Sequence, residues 1–101
     1  MSAKNVKEVL WVAIDTLVKS QGSLQERLAS AAMGLVCLPA ENGLPKEYQE
    51  ALESIIQDLT KEPAKGNEGR IQATTRKMND QEAKLVAGRI LGLYTQLKGG
   101  I

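Results

Sequence analysis

The stretch Ser-Leu-Gln-Glu-Arg-Leu-Ala-Ser-Ala-Ala-Met-Gly-Leu-Val, residues 23–36, decides the fold. Ser23 and Glu26 form a capping box, in which the hydroxyl and the carboxylate accept hydrogen bonds from free amides at the start of a helix. Apolar residues then recur three and four positions apart, which is one face of a helix. Most residues over 29–34 are small, so neighbouring helices can approach closely. The stretch therefore predicts a helix at the centre of a helical domain.

Upstream of this stretch, residues 5–20 predict a first helix that Gly22 ends. Its inward stripe has apolar residues at helical spacing: Val6, Val9, Leu10, Ala13, Ile14, Leu17 and Val18. Trp11 and Val12 lie off the stripe. The helix is therefore either buried on two sides or carries an exposed apolar patch.

Downstream, Pro45 suits the first position of a third helix that reaches about residue 60, because the amide it lacks would be unpaired there. A second capping box, formed by Asn79 and Glu82, predicts a final helix that ends at the glycines at 99–100. The inward stripe of this helix is predicted as Ala83, Val86, Ala87, Ile90, Leu91, Tyr94 and Leu97.

These segments predict an all-α protein with a single domain over residues 1–101. Four amphipathic helices joined by short loops indicate a four-helix antiparallel bundle or a compact orthogonal helical array. A short extra helix near 70–78 fits the pattern, although Thr74 and Thr75 lower its helix propensity. The sequence does not choose between the two architectures.

Composition narrows the class of protein. The 101 residues are 43% apolar and 25% charged, with a net charge of +1, which is typical of a globular domain. The single cysteine cannot form an internal disulfide, and no signal region or membrane span is evident. We therefore expect a cytoplasmic protein that does not enter a membrane.

Catalytic, metal and cofactor sites are not predicted. The chain has no histidine, which removes the commonest general base and metal ligand. Cys37 has no histidine to activate it and is expected to be a buried small hydrophobe. The carboxylates of the third helix avoid its apolar stripe and should be solvated: Glu47, Glu50, Glu53 and Asp58. We expect no enzymatic activity.

Apolar residues outside the inward stripes are the main clue to function. These are Trp11, Val12, Leu85 and Leu93. If they form an exposed patch, they predict a contact with a protein partner or a second copy. If they are covered, Trp11 simply widens the core. The leading hypothesis is a non-enzymatic interaction module of accessory, adaptor or inhibitor type that acts through helix faces as a homodimer.

Charge distribution supplies an alternative. Residues 41–62 carry six acidic and two basic side chains, a balance of −4, and residues 63–101 carry seven basic and three acidic, a balance of +4. The two blocks either pair inside the domain or present a charged face to a partner. The alternative function is therefore nucleic-acid or phosphate binding, in which the loop Gly66–Gly69 offers amides and the cations are Lys65, Arg70, Arg76, Lys77, Lys84 and Arg89.

Overall fold

The computed structural model describes residues 3–39, 42–64, 66 and 69–100, and over these residues the chain forms five helices and no strand. The helices are α1 (Ala3–Lys19), α2 (Leu24–Val36), α3 (Lys46–Thr60), α4 (Arg70–Lys77) and α5 (Asp80–Gly100). The all-α prediction is confirmed, and the short extra helix near 70–78 is α4. No helix in the described part of the chain has both the length and the apolar character to cross a membrane.

Helix α2 is the centre of the array. It packs against each of the other four helices, as its small residues predicted. Its inward face consists of Leu28, Ala31, Ala32 and Leu35, all at most 4% exposed. Alanines at two of these four positions hold neighbours close, while each fully buried leucine contributes about 1.5–3 kcal/mol.

Both predicted capping boxes are present. Ser23 Oγ accepts from the Glu26 amide at 3.1 Å, and Glu26 Oε1 accepts from the Ser23 amide at 2.9 Å. Asn79 and Glu82 repeat the exchange at the start of α5, at 2.8 and 3.0 Å. The backbone hydrogen bond from Ser23, and then its hydroxyl, lower the pKa of Glu26 below its ordinary value.

Helix ends differ from the sequence-based expectations in two places. Pro45 lies just before α3 and not inside it, where its carbonyl accepts from the amides of Tyr48 and Gln49. Helix α5 continues through Gly99 to Gly100, so the two glycines do not end it. A glycine costs a helix about 1 kcal/mol relative to alanine, which a helix anchored by buried neighbours tolerates.

Polar side chains fix the connections between helices. Arg27 of α2 donates from Nη1 to the carbonyl of Leu17 at 2.7 Å, which satisfies a free acceptor in the last turn of α1. Gln25 donates from Nε2 to the carbonyl of Met78 at 3.1 Å and to Asp80 Oδ1 at 2.9 Å. The start of α2 is therefore tied to both the end of α1 and the junction between α4 and α5.

The loop between α2 and α3 is held by a buried asparagine. Asn42 is 2% exposed; it donates from Nδ2 to the carbonyl of Pro39 at 3.1 Å and accepts from the Leu44 amide at 3.2 Å. The neighbouring Gly43 has a φ of 81°, the left-handed conformation expected for an Asn-Gly pair.

Candidate functional site

Helices α1 and α5 meet through two aromatic rings. The centroids of Trp11 and Tyr94 lie 6.1 Å apart with their planes tilted by 35°. Such pairs add about 0.5–1.5 kcal/mol beyond the area they bury. Trp11 as a whole residue nevertheless remains 52% exposed, so the ring contact covers only part of it. Trp11 is therefore not part of the buried core, and part of it stays accessible at the surface.

Each of the two helices carries another exposed apolar side chain on the side of its aromatic ring. Val18 follows Trp11 by seven residues, or about two turns, and is 73% exposed. Leu91 precedes Tyr94 by three residues and is 52% exposed. Residues at these spacings share one side of a helix. We call the surface formed by Trp11, Val18, Leu91 and Tyr94 the α1–α5 seam.

Val12 belongs to a different surface. It is 59% exposed and lines a groove of about 370 Å³ between α1 and α2, on the other side of α1 from Tyr94. The remaining lining residues are mostly apolar or small: Glu8, Val9, Ala13, Thr16, Ser30, Ala31 and Gly34. Consecutive residues of a helix point about 100° apart, so Trp11 and Val12 face different features.

The two α5 leucines proposed from the sequence do not join Trp11. Leu93 is 3% exposed and lies in the core, so its expected position off the inward face is wrong. Leu85 is 59% exposed, as expected for a residue off the inward face. It precedes Tyr94 by nine residues, about two and a half turns, and so lies on the opposite side of α5 from the seam.

Sequence reasoning missed Val18 and Leu91, which it assigned to inward stripes. The buried face of α5 consists of four residues that are each at most 6% exposed: Val86, Ile90, Leu93 and Leu97. They follow one another at intervals of four, three and four residues. Leu91 lies beside that face. Val18 lies in the last turn of α1, before Lys19 ends the helix.

A second groove, of about 720 Å³, separates the start of α2 from α4. Its lining is mixed and mainly polar: Ser23, Gln25, Glu26, Ala29, Ser30, Met33, Gln72, Thr75, Arg76 and Met78. Of the residues proposed from the sequence, this groove contains Arg76. Within the described ranges no three His, Cys, Asp or Glu side chains lie close enough together to hold a metal ion.

The six cations of the nucleic-acid alternative are spread over two helices and a loop. Lys65, Asn67 and Glu68 lie outside the described residues. On α4, the residues Arg70, Arg76 and Lys77 are all exposed; Lys77 pairs with Glu62 at 3.0 Å, and Arg76 also has an interaction within the chain. The other two cations lie on α5.

Those two α5 cations are Lys84 and Arg89, and they differ in surroundings. Arg89 pairs with Asp58 and donates to Ser54 Oγ at 2.8 Å. Lys84 is exposed and five residues earlier, so it points about 140° away from Arg89. Two contacts between the acidic and basic blocks are therefore internal, and these two α5 cations do not share a face.

The remaining chemistry-bearing residues are at the surface. Glu47, Glu50 and Glu53 are exposed, in agreement with the prediction that they are solvated, whereas the fourth carboxylate, Asp58, is partly buried and paired with Arg89. Cys37 is exposed at the end of α2, so its predicted burial is wrong. It follows the last helical residue, Val36, where the stripe of α2 no longer dictates which way a side chain faces. No protein-family model, curated protein or solved structure matches this chain.

Proposed function

We propose that this chain is a non-enzymatic protein–protein interaction module, of accessory, adaptor or inhibitor type, which acts through its helix faces as a homodimer. The observation that carries the proposal is the α1–α5 seam. There, a half-exposed tryptophan packs on a tyrosine, and each of the two helices carries a further exposed apolar side chain on the same side.

Such a surface has the character of a contact site. Single exposed apolar side chains are ordinary, but a group of them indicates a surface that another molecule covers. Tryptophan and tyrosine are among the residues that most often dominate binding energy. Tyr94 also restrains the indole before any partner arrives, so less side-chain freedom is lost on association.

The composition of the whole chain fits a binding role in the cytoplasm. With no histidine, the common pairs of nucleophile and base cannot be built from this chain. One cysteine leaves no internal disulfide, which suits a reducing compartment. These features support the proposal without identifying a partner.

A matched pair of leucines on α5 tests the proposal. Leu91 in the seam and Leu85 on the far side are 52% and 59% exposed, so each can be truncated to alanine at similar cost to the fold. We expect Leu91→Ala to weaken self-association at least about tenfold, because a leucine buried at a contact contributes 1.5–3 kcal/mol. Leu85→Ala should leave it unchanged. Light scattering and chemical cross-linking measure the effect.

A pull-down tests for partners other than a second copy. Wild-type protein and the Trp11→Ala variant serve as the two baits, and the proteins they retain are compared. The interaction proposal holds if wild-type protein retains a partner that the variant loses. It fails if the protein is strictly monomeric and no bound protein depends on Trp11.

A further inference from the structure

We infer that the α1–α5 seam takes a second copy of this chain, with the two α1 helices antiparallel and crossing at Trp11 on a two-fold axis. This inference rests on the proposed function and specifies its partner and geometry. It is carried by the order of charges along one side of α1.

Lys7, Trp11 and Asp15 are spaced by four residues and follow one side of α1. Lys7 lies about one turn before the indole, and Asp15 about one turn after it. Opposite charges therefore stand at nearly equal distances on the two sides of an exposed aromatic ring. The side chain of Asp15 is 37% exposed, so it is accessible at the rim of the seam.

A two-fold axis converts this order into complementary contacts. In such an interface, if residue i contacts residue j of the second copy, then j contacts i in return. With the helices antiparallel, each Lys7 meets Asp15 of the second copy, and the two indoles meet on the axis. With the helices parallel, lysine would face lysine and aspartate would face aspartate. The charges thus favour the antiparallel arrangement and oppose the parallel one.

The contacts that these side chains make within one copy do not prevent Lys7 and Asp15 from pairing between copies. Asp15 pairs with Lys19 of the same helix at 3.0 Å, and Lys19 is 75% exposed. Lys7 also has an interaction within the protomer. The exposed pair between Asp15 and Lys19 contributes little to stability, so it can be replaced when the seam closes.

The apolar residues complete the interface. Tyr94 of α5 packs on Trp11, and Leu91 lies about one turn before Tyr94, so the contact extends from α1 to both helices. Val18, 73% exposed, lies on the same side of α1 as Trp11. The result is an aromatic and aliphatic centre with ion pairs at the rim, which is the usual anatomy of a protein interface.

A charge-reversal cycle tests the geometry, with sedimentation equilibrium as the readout. Lys7→Glu places two carboxylates together at both symmetry-related contacts, and Asp15→Lys places two ammonium groups together. We expect each single variant to weaken the dimer about tenfold or more. The double variant restores both pairs with their signs exchanged, and its dissociation constant should return to within about threefold of wild type. Circular dichroism confirms that all variants remain helical.

Matched controls reverse charges elsewhere: Glu50→Lys on α3 and Lys61→Glu after it, both exposed. These should leave dimerisation unchanged. A dimer insensitive to both α1 reversals, or a double variant no better than the singles, overturns the inference. So does a monomeric wild-type protein at every concentration. In that last case, a partner captured through Trp11 would leave the interaction-module part of the proposed function standing, while the homodimer and its two-fold geometry both fail.

Discussion

Trp11 of the first helix and Tyr94 of the last pack ring against ring at a centroid distance of 6.1 Å. Trp11 is the single tryptophan of the chain, so tryptophan fluorescence reports on the surroundings of this one side chain. The contact joins the first and last helices, and it leaves about half of the surface of Trp11 open to solvent.

Removal of the tyrosine ring should uncover the indole. We expect Tyr94→Ala to shift Trp11 emission to longer wavelength and to increase its quenching by acrylamide. Tyr48→Ala is the control, because Tyr48 is also partly buried but lies on α3. Equal quenching in the two variants would contradict the ring contact.

The two leucines at 91 and 93 should differ sharply in their effect on stability. Leu93→Ala removes a core side chain that is 3% exposed, and we expect it to lower the free energy of unfolding by about 2–5 kcal/mol. Leu91→Ala changes a surface side chain and should stay within about 0.5 kcal/mol of wild type when both are monomeric. Urea denaturation of dilute samples measures both.

The capping box of α2 should weaken in acid. Hydrogen bonds from Ser23 keep the pKa of Glu26 below its ordinary value, so the folded state favours the carboxylate. The resulting stabilisation is complete above the pKa of the unfolded chain, near 4.3, and is lost as the pH falls through the lowered value. We expect the melting temperature of wild type to approach that of Glu26→Gln between about pH 5 and pH 2. If the difference in melting temperature between wild type and Glu26→Gln does not change with pH, the charge of Glu26 does not stabilise the capping box.

The thiol of Cys37 should react in the folded protein. Because Cys37 is exposed, a thiol reagent should label it fully without denaturant. Cys37→Ser should abolish labelling and leave the melting temperature nearly unchanged. If Cys37 is labelled only in denaturant, its thiol is buried in the folded protein, as the sequence predicted and contrary to the structure.

Nucleic-acid binding should be weak or absent at low salt. Two of the cations proposed for it, Lys77 and Arg89, already pair with Glu62 and Asp58. Binding through phosphates would appear in a gel-shift titration as a complex that weakens steeply with salt. Such a complex, reduced by Arg70→Ala, would favour the alternative function.

Local signals in the sequence predicted the helices well. The capping residues Ser23 and Asn79 act within their own first turn, so neighbouring residues are enough to recognise them. The small residues of α2 predicted its central position because close approach of helices depends on side-chain size. Helix ends were off by one or two residues, as at Pro45, since neighbouring contacts decide the last turn.

The face of α5 could not be predicted in the same way. Apolar residues lie on nearly every side of this helix, so periodicity did not separate Leu91 from Leu93. What decides between them is where α1, α2 and α3 pack, and that depends on the whole chain. The contact of Trp11 with Tyr94 is equally non-local. The sequence drew attention to Trp11, but nothing in it named the ring on which Trp11 packs.

The central position of α2 has a consequence for the way the domain loses its structure. Because α2 contacts all four other helices, no helix can detach without exposing part of the leucine and alanine face at its centre. The amides around Leu28 and Leu35 should therefore exchange with deuterium at the slowest rates, set by opening of the entire domain. Peripheral helices will fray locally, but the chain as a whole should melt as one cooperative unit.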